Sequence, residues 1–300
     1  MTSASNASSG GRRRLFARVV ATAAVLAGAL ATAGAAQAAP ASTDPSPKIV
    51  GGQPADQTYS FMVSLEYLRN GNPDSHRCGG ALIKPQWVVM AAHCVSTEAS
   101  DTTPTQPMDP TIFHLRIGSK DRTTGGTIAK FDKIVLHPEW VNYPDHTPGK
   151  DVALLHLTAP VTEKTVPMAT VLPEPGTKVR EIGWGYTSNS DIGDPSKLPT
   201  ILQQLDTTIL PDDTTKCHVD ENGSDAYGIA VGDTCADNPE GVRGPCGGDS
   251  GSPLLSLVDQ RWILQGVDSR GVSDTCGGAP DIYTGIGFYR DWINSVISAA

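Results

Sequence analysis

Short apolar runs, separated by Gly, Pro, Asn and Asp, follow one another along the chain from Ile49 onward. Runs of this kind between turn residues are typical of β-strands, and about a dozen of them predict a sandwich or barrels. The clearest runs lie at 61–65, 81–83, 87–92, 112–117, 133–136, 152–157, 179–185, 201–210, 253–257 and 262–267.

Helical periodicity is confined to the end of the chain. There, apolar residues recur at spacings of three and four, which predicts a C-terminal α-helix with one face packed on the body. The fold class expected from these patterns is therefore all-β with a C-terminal α-helix. The periodic residues are Tyr289, Trp292, Ile293, Val296 and Ile297.

A proline-rich segment divides the β-strands into two groups. Residues 158–175 contain four prolines, and such a segment between two sets of apolar runs is interpreted as a connector. We therefore expect two β halves joined at about 158–175.

The first 38 residues have the organisation of a secretory signal peptide. Arg12–Arg14 and Arg18 precede an alanine-rich apolar run at 19–33, and Ala36–Ala38 supplies the small-residue cleavage pattern. A membrane anchor is the alternative, but the run is short and ends in a cleavage pattern. We predict a signal peptide over 1–38 and a secreted, extracellular protein.

Export has consequences for the cysteines. Arg13, Arg14 and Phe16 weakly resemble a twin-arginine signal, so the export route stays open. Either route leads to an oxidising compartment, where the six cysteines should form three disulfides. Counting alone leaves fifteen pairings open.

Composition and charge limit the classes of partner. The chain is 39% hydrophobic and 18% charged, which is typical of a globular protein. Removing residues 1–48 takes away five basic side chains and one acidic one, so the 23 basic and 32 acidic residues become 18 and 31. A net charge of −13 argues against nucleic acid or an anionic membrane as the partner.

Between the signal and the body lies the sequence APASTDPSPK, at 39–48. Its three prolines and small polar residues should leave it extended and exposed. It is either an ordinary linker or a short propeptide that ends at a basic cleavage site, Lys48.

The stretch CGGDSGSP, at 246–253, contains the candidate nucleophile, Ser250. A serine between glycines on a tight turn is exposed to attack a substrate, and the amides of Gly248 and Ser250 are free to bind an oxyanion. The alternative is a glycine-rich surface turn. A base and an orienting acid elsewhere in the chain would decide between the two.

Two further motifs supply those groups. His93 follows an apolar strand and precedes Cys94, so its loop is fixed well enough for a general base. Asp151 enters the apolar run DVALLHL, and a buried carboxylate needs a partner such as an imidazole. Taken singly, the histidine could merely lie beside a disulfide, and the aspartate could cap a turn.

With these motifs in place, residues 49–300 resemble the trypsin and chymotrypsin family of serine proteases. The resemblance implies a protease domain of two six-stranded antiparallel β-barrels with the active site between them, and no cofactor. The motifs are IVGG at 49–52, CGGALI at 78–83, AAHC at 91–94, DVALL at 151–155, GWG at 183–185, GDSG at 248–251 and PDIY at 280–283.

The resemblance also implies a role for each residue of the site. His93 takes the proton of Ser250 as its hydroxyl attacks a peptide carbonyl, Asp151 orients the imidazole, and Ser269 bonds the Asp151 carboxylate. Among the fifteen pairings, the resemblance selects three disulfides: Cys78–Cys94, Cys217–Cys235 and Cys246–Cys276.

In this family the enzyme is made as a zymogen. Cleavage after Lys48 would free the ammonium of Ile49, which would then pair with Asp249. Ser64 and His76 match the family positions that hold this acid in the inactive form.

The specificity pocket departs from the family pattern. Trypsins place an aspartate where this chain has Gly244, whereas Asp281 stands where the family has a glycine. With Ser269 and Gly271 completing the pocket, Asp281 could replace the missing charge from the side, which predicts a broadened preference for Lys and Arg. If Asp281 points away, the pocket is apolar and the preference is chymotrypsin-like.

One neighbouring subsite also differs. Arg270 replaces a tryptophan that often follows the family's serine at this position. We expect the charge of Arg270 to make the adjacent subsites more polar and to favour acidic groups there.

The remaining expectations concern metals, partners and the competing class of protein. No histidine pair has HExxH spacing, and the loop at 118–126 lacks the pair of glutamates of a calcium site, so no metal is expected. The expected partners are polypeptide substrates and protein protease inhibitors, with the chain itself a monomer. A protease-fold binding or adhesion protein without catalysis is the alternative, disfavoured because no triad residue is missing.

Overall fold

The computed structural model describes residues 49–146 and 149–300. The predicted signal peptide (1–38) and propeptide (39–48), with Lys48, lie outside the described residues. The described part is mostly β-structure and ends in an α-helix, α1 (Ile286–Ser298). The predicted fold class is confirmed.

The first antiparallel sheet closes into a barrel. Its strands are β2 (Met62–Arg69), β3 (Asn72–Lys84), β4 (Trp87–Met90), β5 (Phe113–Ile117), β6 (Thr127–Ala129), β7 (Phe131–Leu136) and β8 (Ala153–Leu157). They run in the order β6-β5-β2-β3-β4-β8-β7, yet only Lys130 separates β6 from β7 in sequence. Because one residue spans only about 3.5 Å, the two edges must meet, and β6 with β7 forms the sixth strand of a barrel.

The second antiparallel sheet closes through a different contact. Its strands are β1 (Gln53–Pro54), β9 (Lys178–Gly183), β10 (Gln203–Thr208), β11 (Asp233–Ala236), β12 (Pro253–Val258), β13 (Arg261–Gly271) and β14 (Asp281–Gly285). They run in the order β1-β10-β9-β12-β13-β14-β11. The Leu210 and Asp237 amides donate to the carbonyls of Cys235 and Thr208, both at 2.9 Å, so β11 returns to the end of β10. Six strands thus close, with β1 as a short addition.

The connector predicted at 158–175 contacts both sheets. The Val166 amide donates to the Leu82 carbonyl of the first sheet at 3.0 Å, and the Ala169 amide donates to the Leu264 carbonyl of the second at 2.9 Å. This segment therefore runs across the junction between the two barrels and contains no strand of its own.

The two barrels have different interiors. The first is filled by a continuous apolar core that includes Leu65, Leu82 and Leu154, and the helix face with Ile286, Tyr289 and Ile293 packs against that core, as its periodicity predicted. The second buries several carboxylic acids among smaller apolar clusters. These acids lie close to the candidate site described below.

The apolar pattern did not indicate β1, β6, β11 or β14. Strand β11 begins with Asp233 and β14 with Asp281, and both aspartates are buried. Pattern analysis takes such polar residues as turn signals, so it misses strands whose polar side chains face a protein interior.

Two further properties bear on the expectations above. The structure contains the disulfides Cys78–Cys94, Cys217–Cys235 and Cys246–Cys276, the pairing that the family resemblance implies. Across residues 49–146 and 149–300, no helix is long and apolar enough to cross a membrane.

Candidate active site

The pairing of β4 with β8 brings His93 and Asp151 together. Met90 at the end of β4 lies opposite Ala153 at the start of β8. His93 lies in the 3₁₀ turn Ala92–Cys94, one residue beyond β4, and Asp151 lies two residues before the start of β8. Both residues therefore lie at the same edge of the first barrel.

The contact between them fixes the imidazole. His93 donates its backbone N–H to Asp151 Oδ1 at 2.9 Å, and its Nδ1 lies 2.7 Å from Asp151 Oδ2. Because a carboxylate only accepts, Nδ1 carries the proton in this bond. The lone pair of the neutral ring is then on Nε2, which is the arrangement that a general base requires.

Asp151 is fully buried yet remains favoured as an anion. Burial alone would raise its pKa, but the charge of His93 and the hydrogen bonds from His93 and Ser269 outweigh burial and lower the pKa below its usual value. Ser269 supplies its bond from Oγ to Asp151 Oδ2 at 2.8 Å. Ser269 was predicted for both the triad and the pocket, and its hydroxyl points to the triad.

Ser250 lies on a turn that two glycines make possible. Gly248 has φ +99° and Gly251 has φ +78°, conformations that disfavour residues with a side chain. The Gly79 amide donates to the Ser250 carbonyl at 2.8 Å and ties this turn to the first barrel. Within the described residues, the amides of Gly248 and Ser250 have no protein acceptor, so both are available to an oxyanion.

His93 and Ser250 line the same cleft, a cavity of about 260 Å³. Their side chains come from different barrels, since His93 follows β4 and Ser250 precedes β12. No hydrogen bond joins His93 Nε2 to Ser250 in the described part of the chain, so the cleft places base and nucleophile side by side before a substrate engages them.

His76 supports the oxyanion turn from behind. Its Nε2 lies 2.9 Å from the Gly248 carbonyl and its Nδ1 lies 2.8 Å from Ser64 Oγ. Burial lowers the pKa of His76 to about 3, so the ring is neutral, donates from Nε2 and accepts from Ser64. The ring therefore contacts the Gly248 carbonyl, whereas its predicted role in the inactive form was to hold Asp249.

Asp249 is a buried carboxylate held only by backbone amides. Gly185 N–H donates to Oδ1 at 2.7 Å and Cys246 N–H donates to Oδ2 at 3.0 Å. No cationic side chain of the described residues pairs with it, and burial raises its pKa to about 7. The Ile49 side chain is also buried, and Val50 forms a β-bridge with Gly244, five residues before Asp249 in the sequence.

The residues predicted for the specificity pocket include Asp281 and Gly271, and these two line a cavity of about 210 Å³ that extends to Ser250. Asp281 pairs with Gly271 across β13 and β14, and both line this cavity. A Cβ placed on Gly244 would lie 2.6 Å from Asp281 Oδ2, so the carboxylate occupies the space opposite this glycine. Burial, and then the charges of Asp268 and Glu181, raise the pKa of Asp281 well above its ordinary value.

Arg270 differs from its prediction. Its guanidinium is buried, with Nη2 at 2.6 Å from Asp233 Oδ2, and it donates to the carbonyls of Tyr227 and Gly228 at 3.1 and 2.7 Å. Arg270 lines the cavity that extends from Ser250 to Asp281, but its charge is paired with Asp233, and this geometry gives no support to a subsite that favours acidic groups.

Sequence analysis also missed three buried acids near the site: Glu181, Asp233 and Asp268. Asp268 lines the specificity cavity beside Asp281. Glu181 lies within the apolar run at 179–185 and Asp268 directly follows the run at 262–267, whereas Asp233, between Gly232 and Thr234, lies in no such run. For Glu181 and Asp268, an acid in an apolar strand was the available signal.

One acidic cluster of the first barrel has ligand atoms suited to a metal. His114 Nε2 lies 3.0 Å from Glu66 Oε2 and 3.1 Å from Asp74 Oδ1, while Arg116 Nε lies 3.5 Å from Glu66 Oε1. The arginine makes this cluster a network of ion pairs. Cys78 and Cys94 also lie close to His93, but their sulfurs are bonded to each other.

Comparison with known proteins agrees with this geometry. The trypsin family model matches residues 49–293. Chymotrypsin-like elastase family member 1 of Rattus norvegicus is 32% identical over 266 residues, covering 84% of this chain and 90% of the rat protein. The proteins of that name from Homo sapiens and Canis lupus familiaris are 32% and 34% identical, each covering 84% of this chain and 93% of the relative. The chain belongs to the trypsin family of serine proteases.

Proposed function

We propose that this protein is a secreted serine endopeptidase, made as a zymogen, that hydrolyses peptide bonds after Lys and Arg with a broadened preference. The observation that supports catalysis most strongly is the fixed Asp151–His93 pair beside Ser250 and two free amides. A protein used only for binding has no need of this arrangement.

Acylation follows from the positions of these groups. As the Ser250 hydroxyl attacks the substrate carbonyl, His93 Nε2 takes the hydroxyl proton and the ring becomes an imidazolium. The buried Asp151 carboxylate stabilises that cation and holds the ring in place. The Gly248 and Ser250 amides stabilise the oxyanion, by roughly 3–4 kcal/mol for each donor.

Collapse of the tetrahedral intermediate completes acylation, and hydrolysis of the acyl ester completes the cycle. His93 gives its proton to the leaving amine, and an acyl ester remains on Ser250. Water then attacks the ester, with His93 again as the base, and releases the carboxylic acid product. The proton that His93 takes from this water passes to Ser250 Oγ as the second tetrahedral intermediate collapses, which restores the serine hydroxyl and the neutral imidazole.

Activation is supported by the state of Asp249. A buried carboxylate is costly without a cation, and a buried ion pair is stable only when both partners are present. Cleavage after Lys48 would create an ammonium on Ile49, whose side chain is already buried. That ammonium would stabilise the turn in the form described above, with both oxyanion amides free.

The preference for basic residues is supported by Asp281. Its carboxylate lies in the cavity that opens beside Ser250, where an entering Lys or Arg side chain would meet it. The relatives carry the name elastase. An apolar pocket with a chymotrypsin-like preference is therefore the alternative outcome of the test below.

Active-site labelling tests catalysis. After cleavage at Lys48, we expect a fluorophosphonate probe to label Ser250, and labelling should be absent from Ser250→Ala. Protein that is folded, cleaved and still unlabelled would favour the binding-protein alternative.

A peptide library tests the substrate preference. We expect cleavage after Arg and Lys to exceed cleavage after Phe and Leu, which should remain measurable. Cleavage mainly after Phe and Leu would establish the chymotrypsin-like alternative.

Sequencing the N-terminus of the exported protein tests both the predicted signal peptide and the predicted cleavage site after Lys48.

A further inference from the structure

A cluster of buried acids lies behind the specificity pocket. Asp268 on β13 is opposite Tyr283 on β14, and Asp281 is two residues from Tyr283 on the same strand. Side chains two residues apart on a strand share a face, so Asp268, Tyr283 and Asp281 point to the same side of the sheet. Glu181 on β9 is the third acid of the cluster, because it lies close enough to Tyr283 and Asp268 for both side chains to shift its pKa.

These acids have few polar partners. Glu181 is 1% exposed, and Asp268 and Asp281 are each 5% exposed. Among the residues that the structure describes, neither carboxyl oxygen of Glu181 meets the full geometry of a hydrogen bond, although the nearby Tyr283 hydroxyl lowers its pKa, and Oδ1 of Asp268 has no partner. Buried carboxylates without cations or donors do not all ionise, so neighbouring ones share protons.

The cluster is continuous with the substrate cavity, because Asp268 and Asp281 line the same space below Ser250. We propose that Asp268, backed by Glu181, is a second specificity acid of this pocket, and that a Lys or Arg side chain binds there by displacing a proton that the carboxylates share. This inference rests on the proposed function, because it concerns the pocket assigned above to the substrate.

Proton balance defines the step. The free pocket holds one or more shared protons; the entering cation favours an ionised carboxylate, and the displaced proton passes to solvent. No covalent bond of the substrate changes in this step. Rising pH removes the same proton beforehand, so the pocket binds a cation more tightly as pH increases.

The pKa shifts of the three acids agree with tighter binding of a cation at higher pH. Burial raises the pKa of Glu181, Asp268 and Asp281 well above the ordinary range, and neighbouring carboxylates add to the effect. Arg270 acts in the opposite direction on Asp268, but its guanidinium is paired with Asp233. The other ionisable groups that act on the cluster are Asp151, Asp237, Asp249 and Tyr283.

Shared protons also account for a broadened preference. With its carboxylic acids protonated, the pocket carries no charge and accepts an uncharged side chain. With one of them ionised, it favours a cation. The same cavity would therefore discriminate between Arg and Leu to a degree that increases with pH.

Binding of p-aminobenzamidine, a cation that needs no catalysis, tests the inference. Purified protein cleaved after Lys48 is titrated by calorimetry at pH 5.5–8.5, in pairs of buffers with different ionisation enthalpies. In wild type we expect release of up to about one proton for each amidine bound, with affinity rising by up to about tenfold per pH unit.

Three variants identify the source of that proton. Asp268→Asn and Glu181→Gln should each reduce both the proton release and the pH slope. Asp274→Asn, the same charge change on an exposed loop residue between two pocket residues, should leave both unchanged. These variants leave the His93–Asp151 pair unchanged, so their differences from wild type report the cluster.

The outcomes separate this inference from the proposed function. Three results would overturn the second specificity acid, even where the probe labels Ser250. Amidine binding could be absent, it could release no proton, or its pH slope could be the same in wild type, Asp268→Asn and Glu181→Gln. Proton release that depends on Asp268 supports it, even where Ser250 stays unlabelled and catalysis is disproved.

Discussion

The carboxylate of Asp281 fills the space that a side chain on Gly244 would need. A Cβ on Gly244 would lie 2.6 Å from Asp281 Oδ2, closer than a Cβ normally approaches another heavy atom. The pocket therefore has room for an acid from one strand or from the facing loop, but not from both at once.

Exchange of the two residues tests this exclusion. Gly244→Asp alone should impair folding or amidine binding, because it adds a clash and a second charge. The double variant Gly244→Asp/Asp281→Gly should recover binding and restrict cleavage to Arg and Lys more strictly than wild type. Specificity constants for Arg, Lys, Phe and Leu substrates measure both effects.

Asp281→Gly provides the matched control for the exchange. It should keep Leu cleavage and lose most of the Arg cleavage, since it removes the acid without adding one. Arg cleavage that stays at the wild-type level in this variant would remove Asp281 from the assignment of specificity.

Ser269→Ala should weaken catalysis without unfolding the protein. The change removes the 2.8 Å hydrogen bond to the buried Asp151 carboxylate. Hydrogen bonds to charged groups contribute about 1.5–3 kcal/mol, so we expect kcat/KM to fall by about tenfold or more. Steady-state kinetics with one Arg substrate and one Leu substrate should show the same factor, because the loss lies in the triad.

Ser256→Ala is the matched control for Ser269→Ala. Its buried hydroxyl accepts from Gln265 Nε2 at 2.7 Å, away from the cleft. It should lower the free energy of unfolding and leave kcat/KM almost unchanged. Equal kinetic effects in both serine variants would indicate general destabilisation instead of a role for Ser269 beside Asp151.

The success of sequence analysis depended on how local each signal was. His93, Asp151 and Ser250 each lie in a short motif, and strand pairing such as Met90 with Ala153 follows once the fold is known. The pairing of Arg270 with Asp233 joins residues 37 positions apart. The residues around Arg270 do not reveal its distant partner. The sequence therefore predicted that its charge would be exposed to the substrate subsites.

The polar interior of the second barrel escaped prediction for a related reason. Burial of Asp281 depends on β14 lying between β13 and β11, and β11 itself carries an aspartate in its first position. An interpretation based on the periodicity of hydrophobic residues places acidic side chains on the surface. Only the closed barrel shows that these acids face inward.

Asp249 predicts a pH dependence for the uncleaved protein. Its pKa of about 7 lies above the ordinary value of 3.8, so the folded chain holds a proton that the unfolded chain has lost between those pH values. The contribution of Asp249 to the free energy of unfolding is therefore complete below about pH 4 and is lost as the pH rises through 7. The Lys48→Gln precursor should therefore be less stable to urea at pH 8 than at pH 5, and nearly inactive.

Two comparisons isolate that contribution. Lys48→Gln/Asp249→Asn should show a smaller loss of stability over the same pH range, although Glu181 and Asp268 add a loss of the same sign in both proteins. Wild type cleaved after Lys48 should also show a smaller loss, because the Ile49 ammonium lowers the pKa of Asp249. Identical slopes with and without Asp249 would contradict this assignment, and full activity of Lys48→Gln would contradict the zymogen.

Arg270 and Asp233 should contribute cooperatively to the free energy of unfolding, because each buried charge depends on the other. The side chains are 4% and 0% exposed, and their closest atoms are 2.6 Å apart. Removing one partner leaves the other charge buried, which costs about 3–5 kcal/mol. Urea unfolding of Asp233→Asn and of Arg270→Met should each show a loss of that order, whereas the double variant should lose less than the two losses combined. Additive losses would mean that the backbone carbonyls of Tyr227 and Gly228, and not Asp233, hold the guanidinium.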